Sequence, residues 1–174
     1  MQEQANHWEA MQMTKMIAID IAKCTGCGAC ELMCSFKHHG EFNPRKSRIH
    51  TTVFLYDELA IPVVCTQCED AWCERICPSG ALGTTVLEGS GARVVKVDED
   101  KCVGCKMCML ACPFGNIQVV AGGCAEKCDL CDGDPECVKF CPRGALHFVD
   151  SERGEEDKRH KLATMLAASY RESE

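Results

Sequence analysis

The sequence predicts an α+β chain of short strands and short helices, arranged as tandem modules nested one inside the other. Three observations predict this. First, 17 of the 174 residues are Cys while aromatic residues make up only 6%, so a conventional apolar core is thin. Second, sixteen of those cysteines fall into four groups of four at regular spacing. Third, Cys77-Pro78-Ser79-Gly80-Ala81-Leu82 returns as Cys141-Pro142-Arg143-Gly144-Ala145-Leu146, and Cys112-Pro113-Phe114-Gly115-Asn116-Ile117 is a looser copy. Each copy has a Cys, a Pro that ends the preceding helical turn, a Gly for a tight turn and an apolar residue that opens a strand.

The most regular group is Cys102-Val103-Gly104-Cys105-Lys106-Met107-Cys108-Met109-Leu110-Ala111-Cys112-Pro113, or C-x2-C-x2-C-x3-C-P. In bacterial ferredoxins this run puts three thiolates on one [4Fe–4S] cube, and the fourth ligates a different one. Such a group cannot close a site alone, so the modules are bacterial-ferredoxin-like and need partner groups elsewhere in the chain.

Cysteine this dense means disulfides in a short secreted chain or metal in an intracellular one. The first twenty residues hold no basic stretch followed by an apolar run, no small-residue cleavage site and no twin-Arg, so a cytoplasmic chain with metal-bound thiolates is expected. No apolar run approaches the roughly 18 residues of a membrane span. The formal charge is −7. With no basic stripe to neutralise phosphates, nucleic-acid binding is disfavoured. Four oxidised cubes at about −2 each would bring the total to roughly −15, and partners should then meet the chain through basic patches.

The elements follow in order. Residues 1–15 are polar and Met-rich, an N-terminal extension that is either a loose tail or a docking arm. Residues 16–21 read as a strand. The first group is Cys24-x2-Cys27-x2-Cys30-x3-Cys34, in which Gly26 and Gly28 let the backbone wrap closely. Residues 31–37 should be a short helix carrying Cys34. Ser35 stands where the other groups have Pro. Residues 37–49 read as a loop with a basic cluster. Residues 48–56 and 59–64 read as two strands turning at Asp57-Glu58. They lead to Cys65-x2-Cys68-x4-Cys73-x3-Cys77-Pro78, whose wider loop contains Trp72, read as packed in the core or against a cluster. Residues 82–87 and 92–97 form a predicted hairpin. After the 102–113 group comes a strand at 117–120. The last group is Cys128-x2-Cys131-x5-Cys137-x3-Cys141-Pro142, and a strand at 145–149 closes the core. Residues 151–160 are highly charged. Leu162, Met165, Leu166, Ser169 and Tyr170 then mark one apolar stripe on a C-terminal helix.

The crossing rule assigns the cysteines to four [4Fe–4S] clusters. The second and third groups are adjacent and exchange fourth ligands. This gives Cys65, Cys68, Cys73 and Cys112 on one cluster, and Cys102, Cys105, Cys108 and Cys77 on another. The outer groups exchange with each other, giving Cys24, Cys27, Cys30 and Cys141 on a third and Cys128, Cys131, Cys137 and Cys34 on a fourth. An inner module of about residues 61–120 thus sits inside an outer one, about 16–36 with 124–150, in a four-cluster domain spanning 16–150. Residues 151–174 are a linker and docking helix. The remaining Cys124 is a buried thiol or a substitute ligand. A three-cluster variant and a zinc-binding scaffold are the competing readings. Zinc sites usually pair two C-x2-C units across a spacer, which is not this pattern.

The order of the four groups, with x4 in the second and x5 in the fourth, resembles the four-cluster electron-transfer subunits of molybdenum and tungsten enzymes. Examples are the dimethyl-sulfoxide-reductase-type and formate-dehydrogenase-type iron–sulfur subunits. The segment Cys34-Ser35-Phe36-Lys37-His38-His39-Gly40-Glu41-Phe42-Asn43-Pro44-Arg45-Lys46-Ser47-Arg48-Ile49 is similar to that of the small subunits accompanying tungsten-dependent aldehyde oxidoreductases and the related benzoyl-CoA reductases. The resemblance implies a catalytic tungstopterin (or molybdopterin) subunit as partner, a flavoprotein subunit that reduces NAD as a further one, and a place in anaerobic metabolism.

No catalytic residues are expected. A cluster with four thiolates has no open site for substrate, and the sequence carries no Ser/His/Asp set, phosphate loop or H-E-x-x-H. Asp98-Glu99-Asp100 reads as a solvated turn. The expected function is one-electron transfer along four clusters, as a subunit of an oxidoreductase complex. Lys23, Lys101 and Lys127 each precede a first ligand, and their charge should favour the reduced cluster. The competing functions are the iron–sulfur subunit of a dimethyl-sulfoxide-reductase-, formate-dehydrogenase- or hydrogenase-type enzyme, a free-standing polyferredoxin and a zinc-binding structural scaffold. The C-terminal stripe could also join copies of the chain.

Overall fold

The computed structural model describes residues 15–119 and 123–150. The expected C-terminal helix and almost all of the N-terminal extension lie outside the described residues.

Among the described residues, four two-stranded antiparallel sheets and four short α-helices make up the fold. Strand β1 (Lys15–Ile19) pairs with β8 (Leu146–Asp150), Ile17 opposite Phe148, so the two ends of the described chain meet. Strands β2 (Ile49–Phe54) and β3 (Leu59–Val64) form a hairpin, as do β4 (Leu82–Val86) and β5 (Arg93–Val97). The last pair is β6 (Ile117–Val119) with β7 (Ala125–Lys127). The helices are α1 (Ala29–His39), α2 (Trp72–Arg75), α3 (Met107–Ala111) and α4 (Glu136–Lys139). Helix α1 carries Cys30 and Cys34, and α2, α3 and α4 carry one cysteine each, Cys73, Cys108 and Cys137.

The hairpins follow the pattern read from the sequence. Ala60, Pro62 and Val64 alternate inward along β3, the period expected of a half-buried strand. Pro62 sits in a two-stranded sheet, where every strand is an edge, the setting in which a strand tolerates proline.

Two apolar clusters form the core. One gathers Ile17, Ile49, Val64, Val94, Leu130 and Leu146 around Cys30, Cys34, Cys65, Cys128 and Cys137. The other gathers Ala71, Leu82, Val95, Ile117 and Ala125 around Cys108. Val94 and Val95 belong to different clusters because successive residues of a strand face opposite ways. Strand β5 is therefore the wall between the two cores.

Several expectations change. The helix expected at 31–37 runs from Ala29 to His39, because Ser35 does not interrupt it. The loop expected at 37–49 holds the end of α1 and a single 3-10 turn at Pro44–Lys46, opened by Asn43, whose side chain accepts from the Arg45 N–H. Strand β7 was not anticipated. Trp72 is 58% exposed rather than packed in a core, and it lines the cavity that holds Cys65, Cys68, Cys73 and Cys112. It is the first residue of a one-turn helix, and its neighbour Ala71 takes the buried position instead. The Arg75 guanidinium lies 5.9 Å from its ring. Cys124 is half-buried rather than buried.

Candidate iron–sulfur centres

None of the 17 cysteines forms a disulfide. Four cavities are each lined by four of them. Cys24, Cys27, Cys30 and Cys141 line one. Cys34, Cys128, Cys131 and Cys137 line a second. Cys65, Cys68, Cys73 and Cys112 line a third, and Cys77, Cys102, Cys105 and Cys108 a fourth. In each cavity three thiols come from one short loop and helix start, and the fourth comes from a different group. Cys124 lines none of these four.

The local backbone accounts for the gathering of the first three. The residue before the second Cys of every group is left-handed: Gly26 at φ 68°, Gln67 at 50°, Gly104 at 64° and Leu130 at 58°. That turn brings the first two thiols of each group to the same side. Gly26 also needs its missing side chain, because a Cβ there would stand 3.2 Å from Ala60 Cβ and Val53 Cγ2.

The fourth cysteines are anchored by backbone donors. The N–H of Arg48 points at Cys34 Sγ (3.3 Å), that of Asn116 at Cys112 Sγ (3.4 Å) and that of Ala145 at Cys141 Sγ (3.2 Å). Ala125 N–H reaches Cys102 Sγ at 3.3 Å. Burial pushes the Cys141 and Cys77 thiols up, but backbone N–H groups outweigh it. Both sit below the ordinary thiol value, Cys141 through donors at Ala145 and Leu146 and Cys77 through Leu82. N–H groups aimed at sulfur stabilise a thiolate and its metal-bound form.

The interior thiols behave oppositely. Burial pushes Cys131 up to about 11, raises Cys128 and Cys137 far above the ordinary value, and raises Cys30, Cys73 and Cys108 as well. At Cys73 the nearby Lys127 ammonium partly offsets the rise. Thiols this buried are poor thiolates alone and become stable anions only against a metal. The donor set thus fits iron–sulfur clusters: four thiols per cavity, N–H groups aimed at sulfur, and mostly apolar walls.

Sequence reasoning missed a polar group beside the second cavity. His38 Nε2 lies 3.8 Å from Cys131 Sγ and 3.5 Å from Asp129 Oδ1. Burial holds its imidazole below the ordinary value, against the pull of Asp129. Asp129 also accepts from Arg48 Nη1 at 2.9 Å and from Cys131 N–H at 2.9 Å, joining α1, the start of β2 and the fourth group. The only prior signal was the length of the inserted 37–49 segment.

The three lysines expected to influence the clusters differ. Lys23 and Lys101 are exposed and paired with Asp20 (3.2 Å) and Asp98 (2.7 Å). Lys127 is buried. Among the described residues no helix is long and apolar enough to cross a membrane.

Comparison with known proteins agrees with this donor chemistry. A 4Fe–4S dicluster domain model matches residues 64–116, and 4Fe–4S binding domain models match 24–37 and 125–144. The electron transport protein HydN of Escherichia coli is 34% identical over 183 residues, spanning 88% of this chain and 100% of HydN. The polyferredoxin-like subunit of the aliphatic sulfonate oxidoreductase of Pyrococcus furiosus is 43% identical over 135 residues, covering 76% of this chain and 75% of that one. UacF of Escherichia coli, described as an oxidoreductase, is 41% identical over 150 residues; these are 79% of this chain but 22% of UacF. The chain belongs to the 4Fe–4S ferredoxin-type family of electron-transport proteins.

Proposed function

We propose that the chain carries four [4Fe–4S] clusters, one in each cysteine-lined cavity, and relays electrons to or from the catalytic subunit of a tungsten aldehyde oxidoreductase-type complex. The observation that carries the cluster number is the lining of four cavities, each by three cysteines of one group and one of another. It also supports the nested exchange of fourth ligands, inner groups with each other and outer groups with each other. When bound, each cluster takes up and gives back one electron.

The residues of the chain fix the geometry of this relay. Cys30 of the first cavity acts electrostatically on Cys137 of the second. Cys128 of the second feels Cys65 of the third. The third and fourth share the inner groups. This supports one line of cavities, in the order Cys24 set, Cys128 set, Cys65 set, Cys102 set. Cys27 and Cys105 are the exposed cysteines, and they belong to the two ends. Partners reached through either end would meet a ligand at the surface, whereas the cysteines of the middle cavities are half-buried or buried.

The tungsten partner rests on the likeness of the 34–49 segment to that enzyme group. It is further supported by the 43% identity to an oxidoreductase's polyferredoxin-like subunit. Iron, acid-labile sulfide, zinc, molybdenum and tungsten should be measured together on the complex purified without oxygen. The expected result is about 16 iron and about 16 sulfide per chain, with tungsten present. Molybdenum instead would move the partner to the dimethyl-sulfoxide-reductase type, and zinc in place of iron would overturn the cluster reading. Paired variants test the exchange. Cys65→Ala with Cys112→Ala should remove about four iron, whereas Cys65→Ala with Cys77→Ala should remove about eight. The reverse pattern would mean that the fourth ligands stay with their own groups.

A further inference from the structure

We propose that Lys127 is a positioning residue for electron transfer, its buried ammonium setting the reduction potential of the cluster held by Cys65, Cys68, Cys73 and Cys112. The inference rests on the four-cluster reading above. Its surprise is spatial. Lys127 precedes Cys128 in sequence, yet it lines the cavity of the Cys65 set, alongside Cys73, Val95 and Ile117.

Its surroundings set it apart from the lysines at the matching position of the other groups. Lys23 and Lys101 are 51% and 62% exposed, and each faces an aspartate. Lys127 is 3% exposed. Its Nζ donates to Val95 O at 2.6 Å, Cys128 O at 3.1 Å and Gln67 Oε1 at 3.2 Å. All three acceptors are neutral. Gln67 is itself buried and held in place, donating to Cys128 O (2.8 Å) and accepting from Val95 N–H (3.2 Å). The polar cavity on the other side of Lys127 has four acidic side chains. Three are engaged elsewhere: Asp129 with Arg48, Asp132 with Lys96, and Glu126 with Gln118 and His39. Among the described residues, no carboxylate pairs with Lys127.

A buried cation held only by neutral acceptors is costly to desolvate. The counter-charge the fold offers is the cluster of the Cys65 set, an anion that gains one further negative charge on reduction. A fixed cation at the wall of that cavity stabilises the reduced form more than the oxidised one and raises the potential of that cluster. The exposed, carboxylate-paired lysines act through water and should do far less.

The test uses the fully loaded chain, poised at a series of potentials and read by electron paramagnetic resonance. In Lys127→Met, the midpoint of the Cys65-set cluster should fall most, that of the Cys128 set, whose Cys128 carbonyl also touches the ammonium, should fall less, and the other two should hold, with iron and sulfide equal to the unaltered chain. The signal that moves most should be the one missing from the Cys65→Ala, Cys112→Ala chain. Lys127→Arg should restore the midpoint, and Lys23→Met and Lys101→Met should leave all four in place. If Lys127→Met fails to load, Lys127→Gln decides, because it removes the charge while keeping a donor for the Val95 carbonyl, and it should lower the same midpoint. Four unchanged midpoints in either iron-replete variant would overturn the role of Lys127. An unaltered chain holding fewer than about 16 iron would instead defeat the four-cluster reading.

Discussion

The second residue after each group's first cysteine shows how the same loop is built with different side chains. Gly26 and Gly104 take the left-handed conformation with no Cβ to strain, whereas Gln67 and Leu130 take it with full side chains. That choice costs of order 1 kcal/mol or more at a non-glycine residue. Both side chains return something for it. Leu130 fills the first core, and Gln67 ties Cys128, Val95 and Lys127 together. The glycine positions were legible in the sequence because glycine marks such a turn. Gln67 and Leu130 were not, because nothing in their type signals a left-handed backbone. Lys127 was legible only as a charge beside a ligand; its burial depends on β5, more than 30 residues earlier in the chain. Gly104 allows the sharpest residue-level prediction. A Cβ there would stand 2.8 Å from the Gly123 carbonyl oxygen, at φ +64°. Gly104→Ala should therefore destabilise the loaded chain by about 1–3 kcal/mol, read as a lower guanidinium midpoint. An unchanged midpoint would mean that the loop over the Cys102 set yields freely.

Helix length is decided by one residue after each fourth cysteine. Pro78, Pro113 and Pro142 follow Cys77, Cys112 and Cys141. There α2, α3 and α4 are four or five residues long. Ser35 follows Cys34 instead, and α1 runs for 11 residues to the left-handed cap at Gly40. The hydroxyl of Ser35 donates to Leu32 O at 2.9 Å and accepts from Asn43 N–H at 3.0 Å, so it also anchors the segment that follows. Phe36 stacks on Phe42 at 4.7 Å between ring centres, closing that segment back on the helix. Ser35→Pro should cost about 3 kcal/mol or more, because proline removes a helical donor and clashes with the preceding turn. Iron analysis should show the Cys34 set losing metal first, and full retention of iron at unchanged stability would refute this account of α1. The hairpins were readable because runs rich in Val, Ile and Thr flank turn residues, and β3 alternates over all six of its positions. Strand β7 was not, because three residues are too few for a period to show and its charged Glu126 and Lys127 look like a turn. Spacing brings three thiols of each cavity together locally. The fourth arrives from a distant residue, and only a rule about crossing ligands could nominate it.

At the scale of the whole molecule, thiol chemistry couples metal loading to pH. The cavity of Cys34, Cys128, Cys131 and Cys137 is the most buried, and burial raises three of its thiols, Cys131 to about 11. This one shift acts with opposite signs on two processes. In the iron-free fold a raised thiol contributes stability that is fully present below the unfolded value of about 8.5 and is lost as pH rises toward the folded value. Loading must expel the same protons, so raising the pH favours it over the same range. Cys77 and Cys141 are held below the ordinary value by backbone donors, so they stop contributing to this dependence at lower pH. Reconstitution with limiting iron should therefore keep rising with pH through about 8.5 toward about 11, and the Cys128 set should fill last at the lower end. Removing that set with Cys131→Ala and Cys137→Ala should flatten the remaining curve. If uptake by the doubly altered chain climbs as steeply as before, the thiols of the Cys128 set are not what limits loading, and the controlling protons belong to the other three cavities.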